Sequence, residues 1–273
     1  MTIQEQMRLY YENPVISWHE HVWFKPGTME MDVARMENDL AHMETLGIDR
    51  IVVSNPLAAN AYCPPEDFIA ANTMIYEATK RYPGKLYGMA FVNPGFHDAA
   101  INELQRCVTE LGFLGVKLYN HYFMDDPTQF DLVEKCIDLD VPVLMHSGKC
   151  NFVNVHKSQP RISNGVHMAN IGRRYPEGTF LMGHIGGGGD WQWSVKAISK
   201  VPNVYADMSG SVHDCPLLEE SVRYLGADRI LFATDGQWDS SVAKILGADI
   251  TDAEKKTILA GSAFERFIQR RKS

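Results

Sequence analysis

Eight short apolar runs, each followed by a stretch with helical spacing, recur along this 273-residue chain, and they constrain its fold more than any other feature. The runs lie at 15–23, 50–55, 86–93, 115–119, 142–146, 180–184, 204–208 and 229–235. Most are continuous rather than alternating, as strands buried on both faces of a parallel sheet must be. Between them apolar residues return every three or four positions, as in Val33, Met36, Leu40 and Met43, or Ile101, Leu104, Val108 and Leu111. Gly47 and Gly112 stop two of these stretches, and Pro64-Pro65 opens another with Glu66 and Asp67 in its first turn. Further helices are expected at 126–139, up to 174, at 190–200 and at 217–225. The last begins at Thr251, whose spacing to Glu254 matches a capping box.

Eight strand–helix units in a chain of this length predict an α/β fold of the (β/α)8, or TIM, barrel type, for which ~250 residues is typical. An open, doubly wound sheet would place a Gly-x-Gly-x-x-Gly turn after its first strand, and this chain has none there. The glycine run 186–189 has neither that spacing nor a Lys-Ser/Thr phosphate grip. It reads as a flexible loop that lets backbone approach a ligand. Residues 1–14 read as an N-terminal extension with a short amphipathic helix, and 15–273 as the barrel domain.

In such a barrel catalytic groups sit at the C-terminal ends of the strands. Those ends carry His19 and His21 on the first strand, Lys117 on the fourth, His146 on the fifth, His184 on the sixth and Asp235 on the eighth. Side chains alternate along a strand, so His19 and His21 point the same way. Leaving so many polar groups buried and unpartnered would cost about 1–3 kcal/mol each, and a metal ion would satisfy them. Three neutral imidazoles and one carboxylate suit one divalent ion, Zn2+ first, with Mn2+ or Fe2+ as alternatives.

The formal net charge of −8 argues against nucleic acid as a partner. No apolar run reaches the ~18 residues of a membrane span, and no secretory leader is visible at the start. Five scattered cysteines without a Cys-x-x-Cys fit a reduced, cytoplasmic protein. The loop after the fifth strand is basic (Lys149, His156, Lys157, Arg161), which points to an anionic small-molecule substrate. Trp191 and Trp238, after the sixth and eighth strands, are candidates to wall the substrate pocket, with Lys117 as a further substrate contact.

Taken together, six segments make the chain resemble the amidohydrolase superfamily. They are His19-Glu20-His21; Gly115-Val116-Lys117-Leu118; Val143-Leu144-Met145-His146-Ser147-Gly148; Met182-Gly183-His184-Ile185-Gly186-Gly187; Val204-Tyr205-Ala206-Asp207-Met208-Ser209-Gly210; and Ile230-Leu231-Phe232-Ala233-Thr234-Asp235. The resemblance is to the amidohydrolase-related group that includes aminocarboxymuconate-semialdehyde decarboxylase and related lactonases. It implies that His19, His21 and His146 ligate one metal ion, with Asp235 as a further ligand or as base to its water. It implies that His184 acts as general acid/base or polarises the substrate. A lysine on the fourth strand bridges two metals as a carbamate in other branches of the superfamily; substrate contact or a buried ion pair is the preferred reading for Lys117. The resemblance also implies a homodimer, since relatives are often dimers or larger. Three positions depart from the pattern: Ser17 where the group has Asp, Ala233-Thr234 where it has Gly-Ser, and Ser262 where it has Asn.

The expected activity is hydrolysis of a cyclic ester or amide of a small organic acid by metal-activated water. Non-oxidative decarboxylation on the same site is the second reading and hydration the third. A metal-stabilised binding protein, with Ser17 marking decay of the site, is the non-enzymatic alternative; retention of all five residues in named roles argues against it.

Overall fold

The computed structural model of the chain describes residues 1–12, 14–57, 62–148, 157, 159–189 and 191–269. Lys149, Cys150, His156 and Asp190, and the side chain of Ser262, lie outside the described residues. The strands are β1 (Ile16–His21), β2 (Arg50–Ser54), β3 (Leu86–Gly88), β4 (Ala90–Phe91), β5 (Val116–Leu118), β6 (Val143–His146), β7 (Phe180–Gly183), β8 (Val204–Asp207) and β9 (Ile230–Leu231). All pair in parallel, in the orders β1-β2-β3 and β4-β5-β6-β7-β8-β9.

Two seams join these sheets into a closed barrel. At the first, Met89 N–H donates to Val53 O (2.9 Å) while Ala90 N–H donates to Gly115 O (2.9 Å). The run expected at 86–93 is therefore one strand that changes partners at Met89. At the second, Trp18 N–H donates to Phe232 O (3.0 Å) and Asp235 N–H to His19 O (2.9 Å). The run expected at 229–235 is a two-residue ladder followed by single bonds to β1, because Arg229 closes a 3-10 turn and the chain then bends toward the first strand.

The described α-helices are α1 (Ile3–Tyr10), α2 (Val33–Thr45), α3 (Pro65–Arg81), α4 (His97–Thr109), α5 (Phe130–Asp138), α6 (Gly165–Arg174), α7 (Trp191–Ile198), α8 (Leu217–Leu225), α9 (Trp238–Gly247), α10 (Asp252–Ala260) and α11 (Ser262–Gln269). Thr251 and Glu254 form the reciprocal capping box at the start of α10. Thr2 and Glu5 do the same for α1, whose Met7 is buried and whose Arg8 reaches Asp49 (2.6 Å). The helix over 238–247 was not expected, since Gln237 offers no side-chain cap. The last expected helix is two: Gly261, at φ 53°, ends α10 and lets α11 turn away.

That turn matters for the core. Side chains of one strand face, including Ile16, Val52, Leu144, Leu181 and Leu231, fill the barrel interior, and Phe264, Phe267 and Ile268 of α11 join them. Burying each of these phenylalanines stabilises by about 1.5–3 kcal/mol. The opposite strand face, including Val53, Val116, Met145, Phe180 and Ala206, packs against the helical ring. β1 carries one extra residue relative to β2 between Ser17 and Glu20, a bulge. It sends Trp18 inward to Phe264 (5.3 Å between rings) and keeps His19 on the interior side too. None of the described helices is long and apolar enough to cross a membrane.

Candidate active site

The barrel brings His19, His21, Lys117, His184, Asp207 and Asp235 together at the strand ends. His19 is buried and donates from Nδ1 to Asp207 Oδ2 (2.8 Å). Its Nε2 accepts from Lys117 Nζ (2.5 Å) and faces Asp235 Oδ1 at 3.6 Å. His21 donates from Nδ1 to Ser54 O (3.2 Å), and its Nε2 lies 2.8 Å from Asp235 Oδ1. The other Asp235 oxygen is 3.3 Å from His184 Nδ1. Asp207 Oδ1 accepts Ser209 N–H (3.0 Å) and Oγ–H, and Ser209 Oγ in turn receives His184 Nδ1 (2.9 Å).

Burial decides the charge states. It lowers His19 well below its ordinary value, assisted by the Lys117 cation, and it lowers His184 to about 4. Lys117, also buried, is lowered to about 8. Burial alone would raise the Asp235 carboxyl, but His184, His19 and His21 outweigh it and hold the group well below the usual carboxylate range. Glu20, on the other face of β1, is raised by burial and by the charge of Asp235. At neutral pH His19 and His184 are therefore neutral imidazoles beside an ionised Asp235.

This donor set fits a cation. Both His19 and His21 turn Nδ1 to outside acceptors, so each presents Nε2 on the side of Asp235 Oδ1, where Lys117 Nζ also meets His19 Nε2. Two imidazole nitrogens and a carboxylate oxygen converging at 2.8–3.6 Å are a set that a divalent ion would bind, taking the place of Lys117 Nζ at His19 Nε2. Ligand atoms of His19, His21 and Asp235 all lie within 4.8 Å of one another, as do those of His19, His184 and Asp207.

Other expected residues are placed differently. His146 reaches the same cavity but stays outside both groups: its Nδ1 is 3.0 Å from His184 Nε2, its Nε2 is 3.0 Å from Gln159 Oε1, and Tyr119 stacks on its ring. Trp191, expected as a pocket wall, is buried in the outer core, where α7 packs, and donates to Asp214 Oδ2 (2.8 Å). Trp238 stands behind β1, beside Glu20 and against His42 (5.6 Å between rings). Neither indole lines the mouth cavity, because each begins a helix whose first turn faces the barrel wall. That cavity, about 180 Å³, is lined by His146, Gln159, His184, Gly187, Asp235 and Gln237, among others. Gln159 carried no motif that would have singled it out; Asp207 and Ser209 lie within one of the six segments, and Asp207 makes the hydrogen bond that orients His19.

Two of the three departures from the pattern, Ser17 and Thr234, share one contact. Ser17 Oγ lies 3.1 Å from Thr234 Oγ1 and accepts Thr234 N–H (3.1 Å), so the two unusual residues pair across the closing seam. The glycine run is used for close packing of loops. A Cβ on Gly187 would stand 2.5 Å from Ser147 O, and one on Gly186 2.8 Å from Ser209 O. Arg161, from the basic loop, donates to His121 O (2.7 Å).

A closed parallel barrel whose mouth gathers imidazoles and carboxylates is the build of the amidohydrolases. The amidohydrolase family profile matches residues 16–263, and the chain belongs to that family. It is 26% identical to a gamma-resorcylate decarboxylase of Polaromonas sp. strain JS666 over 82% of this chain and 85% of that protein. It is 25% identical to a 2-keto-4-carboxy-3-hexenedioate hydratase of a Sphingobium strain, over 71% and 69%. The fold is shared with the crystal structure of a dihydroxybenzoic acid decarboxylase from the same Polaromonas strain, which holds manganese and the inhibitor 2-nitroresorcinol (TM-score 0.73, 21% identity, 95% and 98% coverage).

Proposed function

We propose that this protein is a metal-dependent, non-oxidative decarboxylase of a small hydroxylated aromatic acid. One observation carries the reading: His19 Nε2, His21 Nε2 and Asp235 Oδ1 converge, while Asp235 Oδ2 lies 3.3 Å from His184 Nδ1 at the edge of the cavity. The relatives support decarboxylation better than opening of a cyclic ester or amide, the reaction that the sequence alone placed first. Manganese in the Polaromonas structure supports Mn2+ ahead of Zn2+. A cavity of about 180 Å³ is below the ~300 Å³ of drug-sized sites, which supports a substrate of one ring.

His19, His21 and Asp235 would hold the ion, and His146 would join them by exchanging one of its hydrogen bonds. When bound, the ion supplies a fixed positive charge that orients the anionic substrate and stabilises negative charge on its oxygens. Asp207 fixes the His19 tautomer, and the Ser209–Asp207 pair holds the His184 ring. The reaction consumes one proton, which comes from solvent and is relayed across the His184 Nδ1–Asp235 Oδ2 contact as it is used. Its delivery to the ring carbon bearing the carboxylate forms a C–H bond. The C–C bond to the carboxylate then breaks, its electron pair returns to the ring, and CO2 leaves.

The test uses purified protein with Mn2+ and 2,6-dihydroxybenzoate, following CO2 and resorcinol by chromatography. Chelation should abolish turnover and Mn2+ restore it. His184→Asn should retain Mn2+ and lose about 10²–10⁴-fold in kcat. Hydration of an unsaturated dicarboxylate, the activity in the Sphingobium relative's name, is the second reading and is scored by uptake of water into the product. Rapid lactone hydrolysis without CO2 release from any hydroxybenzoate would overturn the proposal.

A further inference from the structure

Glu20 lies between His19 and His21 in sequence but on the opposite face of β1, and the reaction scheme gives it no part. Its side chain is 3% exposed. Its carboxylate accepts the Gly236 N–H, at 3.1 Å through Oε2 and 3.4 Å through Oε1. The neighbouring amides are also held. Thr234 N–H goes to Ser17 Oγ (3.1 Å), Asp235 N–H to His19 O (2.9 Å) and Gln237 N–H to Thr234 O (2.9 Å). Three consecutive amides after β9 are thus bound by β1, and Glu20 supplies the last of these bonds.

The segment so held is strained. Asp235 has φ 48° and Gly236 φ 74°, two left-handed residues in succession. A residue with a Cβ stays in that region only where its surroundings over-determine it. The conformation turns the Asp235 carboxylate back across the seam, one oxygen toward His21 Nε2 and the other toward His184. The bulge in β1 makes both contacts available at once. It keeps His19 on the barrel interior while Glu20, one residue on, emerges toward the Asp235–Gly236 turn.

We infer that Glu20 is a positioning residue: by holding the Gly236 amide it locks the Asp235–Gly236 turn and so aims the Asp235 carboxylate at the donor cluster. This role rests on the metal-dependent reading of the site. It requires an acceptor of the right reach, not a charge. Glutamine keeps the reach and drops the charge; aspartate keeps the charge and is one methylene too short.

The experiment titrates metal-free protein with Mn2+, reading the free-ion signal by electron paramagnetic resonance, and follows kcat and KM at saturating Mn2+. Glu20→Gln should stay within about threefold of wild type in Mn2+ affinity and in kcat. Glu20→Asp should weaken Mn2+ binding about 10–100-fold, as loss of a ligand's orienting partner does. It should also lower kcat up to ~10²-fold, the effect of roughly 1 Å of misplacement, with KM little changed. Should Glu20→Asp not fold, Glu20→Met, of full reach but without an acceptor, takes its place with the same expected losses. Wild-type affinity, spectrum and kcat in Glu20→Asp or Glu20→Met would overturn the inference. So would a Glu20→Gln variant as impaired as Glu20→Asp, since charge would then be what matters. Wild-type protein that leaves Mn2+ free would overturn the metal site itself, and this role with it.

Discussion

Arg229 offers a test of how the barrel divides stability from chemistry. Its side chain is buried at the end of the barrel away from the mouth, just before β9. The guanidinium donates to five carbonyls: Leu225 O (3.1 Å) from Nε, Ile198 O (3.2 Å), Val201 O (2.8 Å) and Val204 O (3.3 Å) from Nη1, and Ser199 O (2.8 Å) from Nη2. Leu225 and Ile198 are the last residues of α8 and α7, so the cation closes two helix C-termini. Nη1 has two hydrogens for its three acceptors, so about four full bonds are at stake. Arg229→Met keeps much of the packing and removes the donors. At ~1 kcal/mol for each carbonyl left without a partner, the low end of the usual range, the loss is about 4 kcal/mol. In a chain of this size that lowers Tm by roughly 8–16 °C. Calorimetry reads the shift, and kcat/KM of the folded protein at low temperature should match wild type within about twofold. A Tm within ~2 °C of wild type would refute the reasoning. A normal Tm with a lost kcat would show that this end of the barrel reaches the chemistry.

Two further outcomes follow from local geometry. Gly183→Ala would place a Cβ 2.7 Å from Asp207 Oδ2 and 3.1 Å from His19 Nδ1, prising apart the bond that orients His19; Mn2+ affinity should fall at least about tenfold, and unchanged affinity in a titration would contradict the assigned tautomer. His97, exposed between Asp131 and Asp98, has its pKa raised above the ordinary 6.5 by hydrogen bonds first to Asp131 and then to Asp98. Its stabilisation is therefore complete below ~6.5 and is lost as pH rises through the raised value. Melting curves should show His97→Gln destabilised relative to wild type at pH ~5.5 and level with it at pH ~8.5, and a gap that persists at the higher pH would be inconsistent with this origin.

How much of this was legible before the structure depends on the residue. The strand rhythm was, because a strand covered on both faces has to be apolar throughout. The same pressure makes a polar residue at a strand end conspicuous, which is why His19, His21, Lys117, His146, His184 and Asp235 stood out. The break in the third strand at Met89 was not visible, since changing partners alters pairing and leaves hydropathy untouched. Nor was α9, which begins without a capping side chain. Trp191 and Trp238 were placed near the mouth from chain position alone, but rotation about the helix axis, set by tertiary packing, carries their rings away from the cavity. Glu20 drew no notice because an acid between two histidines reads as a solvated residue until its contact with Gly236 is known.

The sequence by itself thus determined the parallel barrel and the inventory of groups that could meet at its mouth. Both follow from local hydropathy and from which residue types keep a lone pair for a cation. Tertiary structure alone decided the partners. Asp207 and Asp235 reach His19 across separations of 188 and 216 residues, so no local pattern encodes those contacts. Closure of β9 against β1 brings the groups within hydrogen-bonding distance. The direction of each ring then fixes which nitrogen is spent on support and which faces the site: His19 and His21 each turn Nε2 toward Asp235, with Lys117 also on His19 Nε2, whereas His146 turns toward Gln159 and His184.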